Sequence, residues 1–217
     1  MARPRQVTNE QILSTTRECV FELGPQVSLD IVAERLGVTS PALLKRFKSR
    51  QKLMLESLRP SSELPFRESF GAGPDPKTPF EPQLEALFVA FFDFFTELVP
   101  RIVALRESGI PHSKVFDDGR TSPVSGIRAL TKWLQQAAEA GLVKTEAAES
   151  AATAMLGALT TRAFTAHIMQ QAYSTRSNRE YLKDITQLFC RALSVSSPSR
   201  RRRQARPRSN HHSPETP

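Results

Sequence analysis

Cysteine is nearly absent from this sequence: Cys19 and Cys190 are the two in 217 residues. Both fall inside apolar helical patterns, which reads as buried free thiols and excludes a disulfide framework. No alternating apolar–polar stretch is long enough for a sheet. The longest apolar run is broken by Asp93 and Glu97, too short and too charged to span a bilayer. There is no charged-then-apolar opening segment, so the expectation is a soluble, cytoplasmic protein without a membrane partner. Catalytic signatures are missing too: no Gly-rich phosphate loop, no nucleophile elbow, no placed Ser-His-Asp set. His112 and His167 stand alone, and His211-His212 lies in a polar tail, so no metal ligand set has workable spacing. The expectation is a protein that is not an enzyme and holds no cofactor or metal.

What the chain does have is positive charge at its ends. Net charge is +8. Nine basic side chains face six acidic ones in residues 1–58, fifteen face fifteen in 59–195, and six face one in 196–217. A neutral middle with basic ends points to a polyanionic partner met by the termini. The periodicity is helical throughout. Thr8 to Gln11 reads as a capping box opening a helix to Leu23, with Ile12, Thr16, Cys19, Val20 and Leu23 as its inner stripe. Ser28 caps a second short helix that ends at Gly37, and Thr39 and Ser49 cap a third and a fourth. Residues 59–82 and 110–123 are rich in Pro, Gly, Ser or Asp and read as loops. Between and after them come an aromatic segment with a break or kink at Pro100, then helical stretches near 125–141, 145–173 and 178–195. The last 22 residues read as disordered.

The short segment "LGVTSPALLKRFKS" carries the sharpest signal. On a helical wheel Leu43 and Phe47 make the buried edge, while Pro41, Lys45 and Lys48 face outward. Pro41 falls in the first turn, where its missing N–H would be unpaired anyway. A short, well-capped helix with small groups at its start and cations further along suits a helix that reads base edges in the major groove. The preceding "SLDIVAERLGV" supplies the first helix of a helix-turn-helix. A solvated surface helix explains the same wheel when it is taken alone.

The ordered set Gly24, capped Ser28, Gly37-Val38-Thr39 and Phe47-x-Ser49-Arg50 resembles the DNA-binding domain of the tetracycline-repressor (TetR) family of transcriptional regulators. The likeness runs from Ile12 to Leu53. The family's "IAxxxGVS" reads here as "VAERLGVT", and its "LYxHFxSKxxL" as "LLKRFKSRQKL". Leu44 stands where the family commonly has a tyrosine touching a phosphate, and Arg50 replaces a lysine. The resemblance implies base contacts from Ser40, Pro41, Ala42 and Lys45, and backbone contacts from Ser28, Thr39, Arg46, Lys48 and Arg50, with Leu44 on the same face. Arg3 and Arg5, on an arm before the first helix, are further candidates.

The fold class expected is all-α. Residues 1–58 form a helix-turn-helix DNA-binding domain, 59–195 a helical ligand-binding and dimerisation bundle, and 196–217 a basic tail. Phe88, Phe91, Phe92 and Phe95 recur at helical spacing and fit either a solid core or a cavity wall. The resemblance implies the wall, shared with Trp133, Met155, Phe164 and Met169, around a lipophilic or aromatic small molecule. It also implies a homodimer, through an Ala- and Gly-rich helix and a stripe of Tyr181, Ile185, Leu188, Phe189 and Ala192. The implied protein is a regulator, usually a repressor, that binds a palindromic operator and is released by its ligand. The alternative is a helical interaction protein whose basic tail binds nucleic acid without sequence preference.

Overall fold

The computed structural model describes residues 7–59, 72–111, 114, 123–169 and 176–194. Among the described residues there are eight α-helices and no strand. They are α1 (Asn9–Leu23), α2 (Leu29–Leu36), α3 (Ser40–Phe47), α4 (Arg50–Leu58), α5 (Phe80–Glu107), α6 (Pro123–Glu139), α7 (Ala148–Met169) and α8 (Asn178–Ser194). Arg3, Arg5, His112, Asp117, Asp118, Gly119 and the tail with His211 and His212 lie outside the described residues.

Each of the first four helices begins where a side-chain oxygen can take an orphan amide. Thr8 accepts from the Gln11 amide while Gln11 Oε1 accepts from the Thr8 amide, a complete capping box. Ser28, Thr39 and Ser49 accept from the amides of Ile31, Ala42 and Lys52. Each such cap is worth about 0.5–2 kcal/mol, a large share of what an eight-residue helix needs. Gly37 ends α2 at φ 65°, ψ 32°, the left-handed conformation. Its amide bonds Glu34 O and the Val38 amide bonds Ala33 O, which closes the helix end and turns the chain into α3.

Two cores result. The first joins Ile12, Cys19, Val20, Val32, Leu43, Phe47, Leu53, Met54 and Leu58 from α1–α4 with Ala104 and Leu105 from the far end of α5 and Ile110 just beyond it. The second lies among α5–α8, where Phe88, Phe91, Leu130, Leu134, Met155 and Leu159 are fully buried. Helix α5 packs on α4, α7 and α8, and so belongs to both cores.

Several local expectations change. Leu23 is half exposed, because α1 ends there and Gly24 carries the chain away before a neighbour covers it. Pro100 does not break the aromatic segment; it sits inside the continuous α5. There it costs one amide bond to Thr96, tolerable in a helix held by packing along most of its length. Pro82 lies in the first turn of α5, where its missing amide is harmless. Helix α7 starts at Ala148 rather than Thr145, because the Thr145 hydroxyl accepts from the Ala147 amide in a local turn. Of the two thiols, Cys19 is fully buried and Cys190 partly so; burial, helped by Glu81, pushes the Cys190 thiol up to about 11.

Candidate DNA-reading head and effector cavity

Helix α3 is anchored by Leu43 and Phe47, 1% and 3% exposed, both in the first core. Burying side chains of this size contributes roughly 1.5–3 kcal/mol each. That leaves Pro41, Ala42, Leu44, Lys45, Arg46 and Lys48 exposed on one small surface, with Thr39 beside them and Ser40 half-buried. Ser28, at the start of α2, is exposed as well. Of the residues expected to meet DNA, those of α3 and Thr39 and Lys48 at its ends lie together, Ser28 lies at the start of α2, Arg50 is the half-buried first residue of α4, and Arg3 and Arg5 lie outside the described residues.

Their charges are not equally available. The Arg46 guanidinium donates to the Val7 carbonyl, so it holds the chain entering α1 beside α3. Arg50 Nη2 donates to Pro25 O at 2.7 Å and to Val27 O at 3.2 Å, pinning the start of α4 to the α1–α2 turn. Arg35 pairs with Glu22 at 2.7 Å, and that hydrogen bond raises its pKa above the ordinary arginine value. Lys45 is exposed, and the Lys48 ammonium reaches only its carbonyl, at 3.4 Å. Lys48 has φ 67°, the one positive φ at a non-glycine among the described residues. Its amide bonds Leu44 O and the Ser49 amide bonds Phe47 O, so the strained residue makes the tight corner between α3 and α4.

The second region is a cavity of about 470 Å³ bounded by α5, α6 and α7. Phe91, Phe95, Leu98, Ile102 and Val103 form one wall, with Phe94 and Val99 beside them. The first turns of α6 add Ser125, Gly126 and Ile127, and α7 adds Thr153, Leu156, Gly157, Thr160, Thr161 and Phe164. None of the lining residues is charged, and their side-chain polar groups are hydroxyls. Apolar walls with a few hydroxyls are chemically complementary to an apolar molecule.

Of the expected wall residues, Phe91, Phe95 and Phe164 line this cavity. Phe88, Phe92, Trp133 and Met155 do not; they are buried in the second core, and Met169 is exposed at the end of α7. Phe88 meets Phe189 edge-on with centroids 5.9 Å apart, and Trp133 lies 5.5 Å from Phe80. The cavity therefore sits further along α5 than the phenylalanine spacing suggested. The wheel gave a face; it could not say at which turn the covering neighbour stops. Gly157 and the α7 threonines went unread because small residues also suit close helix packing.

The expected docking stripe divides in the same way. Ile185 is buried, Tyr181 donates its hydroxyl proton to Ala158 O at 3.0 Å, and Phe189 packs on Phe88, so these three serve the protomer's own core. Leu188, 61% exposed, and Ala192 face outward. On α7, Phe164, Ile168 and Met169 are about half exposed.

Cavity and head share one helix. Ile102 and Val103 line the cavity, and the next two residues, Ala104 and Leu105, are buried in the head's core. The end of α5 is closed by the Ile110 amide bonding Leu105 O and the Gly109 amide bonding Arg106 O. Gln26 Nε2 donates to Glu107 O at 2.9 Å, and the Ser108 hydroxyl, which donates to Ala104 O at 2.8 Å, lies 3.4 Å from Pro25 O. The Pro25 carbonyl thus accepts from Arg50 of α4 and lies against Ser108, the residue just past the end of α5.

Among the described residues no group of three His, Cys, Asp or Glu could hold a metal, and no helix is long and apolar enough to cross a membrane. Residues 113–194 match the family model described as the AefR-like transcriptional repressor, C-terminal domain. No curated protein matches the chain in sequence. Solved structures share its fold. A TetR transcription regulator from Haloarcula marismortui matches with a TM-score of 0.65 at 15% identity, over 85% of this chain and 97% of its own. FadR from Bacillus subtilis, in complex with stearoyl-CoA, matches at 0.57 and 15% identity over 86% and 97%. AibR, in complex with isovaleryl coenzyme A and operator DNA, matches at 0.58 and 15% identity over 83% and 96%. The C-terminal match in sequence, the shared fold and the helix-turn-helix agree: the chain has the fold of TetR regulators, and its residues 113–194 match the C-terminal domain of an AefR-like transcriptional repressor.

Proposed function

We propose that this protein is a homodimeric repressor that binds a palindromic operator through α3 and is released when a small lipophilic molecule enters the α5–α7 cavity. The observation that carries the reading is the shared helix: cavity wall and head core are consecutive residues of α5. A ligand that favours a different placement of α5 moves Ala104 and Leu105 against α1 and α4, and the two recognition helices no longer match adjacent major grooves. Residues 1–58 serve as the reading head, 59–195 as effector and dimer body, and 196–217 as a cationic tail adding affinity without choosing the site.

The ligand's chemistry follows from the wall. Apolar side chains with a few hydroxyls suit an acyl chain or an aromatic ring. AibR and FadR were captured with acyl-coenzyme A esters. In this chain the cavity would house the acyl part, and a charged carrier would stay outside an uncharged lining. The dimer is assigned to the outward residues Phe164, Ile168 and Met169 of α7 with Leu188 and Ala192 of α8. Two half-sites about one helical turn apart then give a selectivity that one eight-residue helix lacks.

Genomic-fragment selection with the full chain tests the reading. A palindromic motif is expected, and the same motif after truncation beyond Ser196. Loss of all binding on truncation would leave only a tail that holds nucleic acid without preference.

A further inference from the structure

We infer that Asp30 is a base-reading residue, and that with Ser40 it selects a cytosine where the operator faces the N-terminal end of α3. The inference rests on the reading of this chain as a major-groove reader and adds the base class it prefers. Asp30 lies in the first turn of α2 and is exposed; Ser40 is the first residue of α3. The turn at Gly37 folds these two helix starts together, and the Ser40 hydroxyl donates to Asp30 Oδ1.

That bond fixes what the leading end of α3 can offer. A serine hydroxyl has one proton, and here the carboxylate takes it, leaving only lone pairs on Ser40 Oγ. An ionised carboxylate is itself acceptor-only. Pro41 contributes no amide proton, and Ala42 has no polar side-chain atom. Beyond the Thr39 cap, whose hydroxyl keeps its proton, the first turn of the reading helix therefore presents side-chain acceptors and no side-chain donor. In the major groove the donors are the cytosine N4 and adenine N6 amino groups; guanine shows N7 and O6, and thymine O4, all acceptors. Adenine places its N7 acceptor beside the amino group, which repels a carboxylate, whereas cytosine places a C–H there. Cytosine is the better fit. A negative charge so close to phosphates lowers affinity for every sequence. Asp30 thus works for selectivity and against general affinity.

The competing role is purely local: Asp30 favours the α2 dipole and holds Ser40 in place. Operator selection with the wild type, Asp30→Asn and Asp30→Ala separates the two, with thermal melts to verify folding and Ser40→Ala as an independent break of the same bond. The wild-type motif is expected to carry a cytosine at one symmetric position. Both Asp30 variants should lose roughly tenfold of that preference. Asn should drift towards adenine, and binding to unrelated DNA should rise. Ser40→Ala should broaden the same position and no other. Wild-type motifs from the Asp30 variants, or an equal loss on all sequences, overturn the inference. A wild-type selection that enriches no motif overturns the operator reading itself, and this inference with it.

Discussion

The helix-turn-helix head and the body proposed to hold an effector are both helical, yet they are specified in different ways. In the head, α1–α4 all start at a side-chain cap, and α2 and α3 are only eight residues long. In the body α8 also opens at a capping box, Ser177 with Glu180, but α5 runs 28 residues from Phe80 with no side-chain cap bond, and its middle opens onto a cavity of about 470 Å³. Short capped helices on a closed core hold a fixed geometry, which a DNA-reading surface needs. Long helices around an unfilled space can repack, which a switch needs. The difference teaches where rigidity and adaptability have been placed, and substitutions can probe each side of it.

The largest expected effect is in the head. Leu43→Ala removes the central anchor of α3 and should cost about 2–5 kcal/mol in denaturant unfolding. Phe94→Ala, on the partly exposed cavity wall, should cost well under half as much, because it already lacks neighbours on one side. Equal losses would erase the contrast between closed core and open body.

Next is Arg50. Its bonds to Pro25 O and Val27 O make it a brace of the head as well as a candidate phosphate contact. Arg50→Ala should lower stability by about 1.5–3 kcal/mol in the absence of DNA. A variant with unchanged melting and weaker operator binding would restore a purely phosphate-facing role.

Lys45→Ala should leave stability nearly untouched but weaken the operator by about 1–3 kcal/mol and relax one base position. An equal loss on all sequences would make Lys45 a phosphate contact.

The smallest effect concerns Lys48, held at φ 67°. Lys48→Gly relieves strain of about 1–3 kcal/mol while adding chain entropy to the unfolded state of about 0.4–1 kcal/mol. A modest rise in melting temperature is expected, with a salt slope for DNA binding shallower by about one. A lower melting temperature would mean the corner carries no strain.

The contrast also explains what could be read from the sequence. The capping box at Thr8, the caps at Ser28, Thr39 and Ser49, and the Leu43–Phe47 edge depend on neighbours within a few residues, and the sequence displays them. The half-exposure of Leu23 is not legible there, and Pro100 leaves break and kink both open, because each depends on what another helix does at that point. The cavity was legible only in part. Phe91, Phe95 and Phe164 line it, but Phe88 and Phe92 share their wheel face and are core, since α8 covers that end of α5. Contiguity of Val103 with Ala104 and Leu105 is written in the sequence, yet its meaning appears only when two cores are seen to meet on one helix. The Asp30–Ser40 bond spans ten residues and a turn, and helical spacing gives no hint of it.

The most direct measurement is the operator affinity of a protein whose cavity has been filled from within. Gly157 lines the cavity, and a Cβ built there meets nothing within 4 Å, so Gly157→Phe can occupy the space without a clash at its base. Loss of uptake of a lipophilic fluorescent probe would verify the filling, and binding would be measured on the fragment that the wild type enriches. If cavity and reading head are coupled through α5, operator affinity should change roughly 5- to 150-fold, with the folded state intact. A filled cavity with unchanged operator affinity would contradict the coupling.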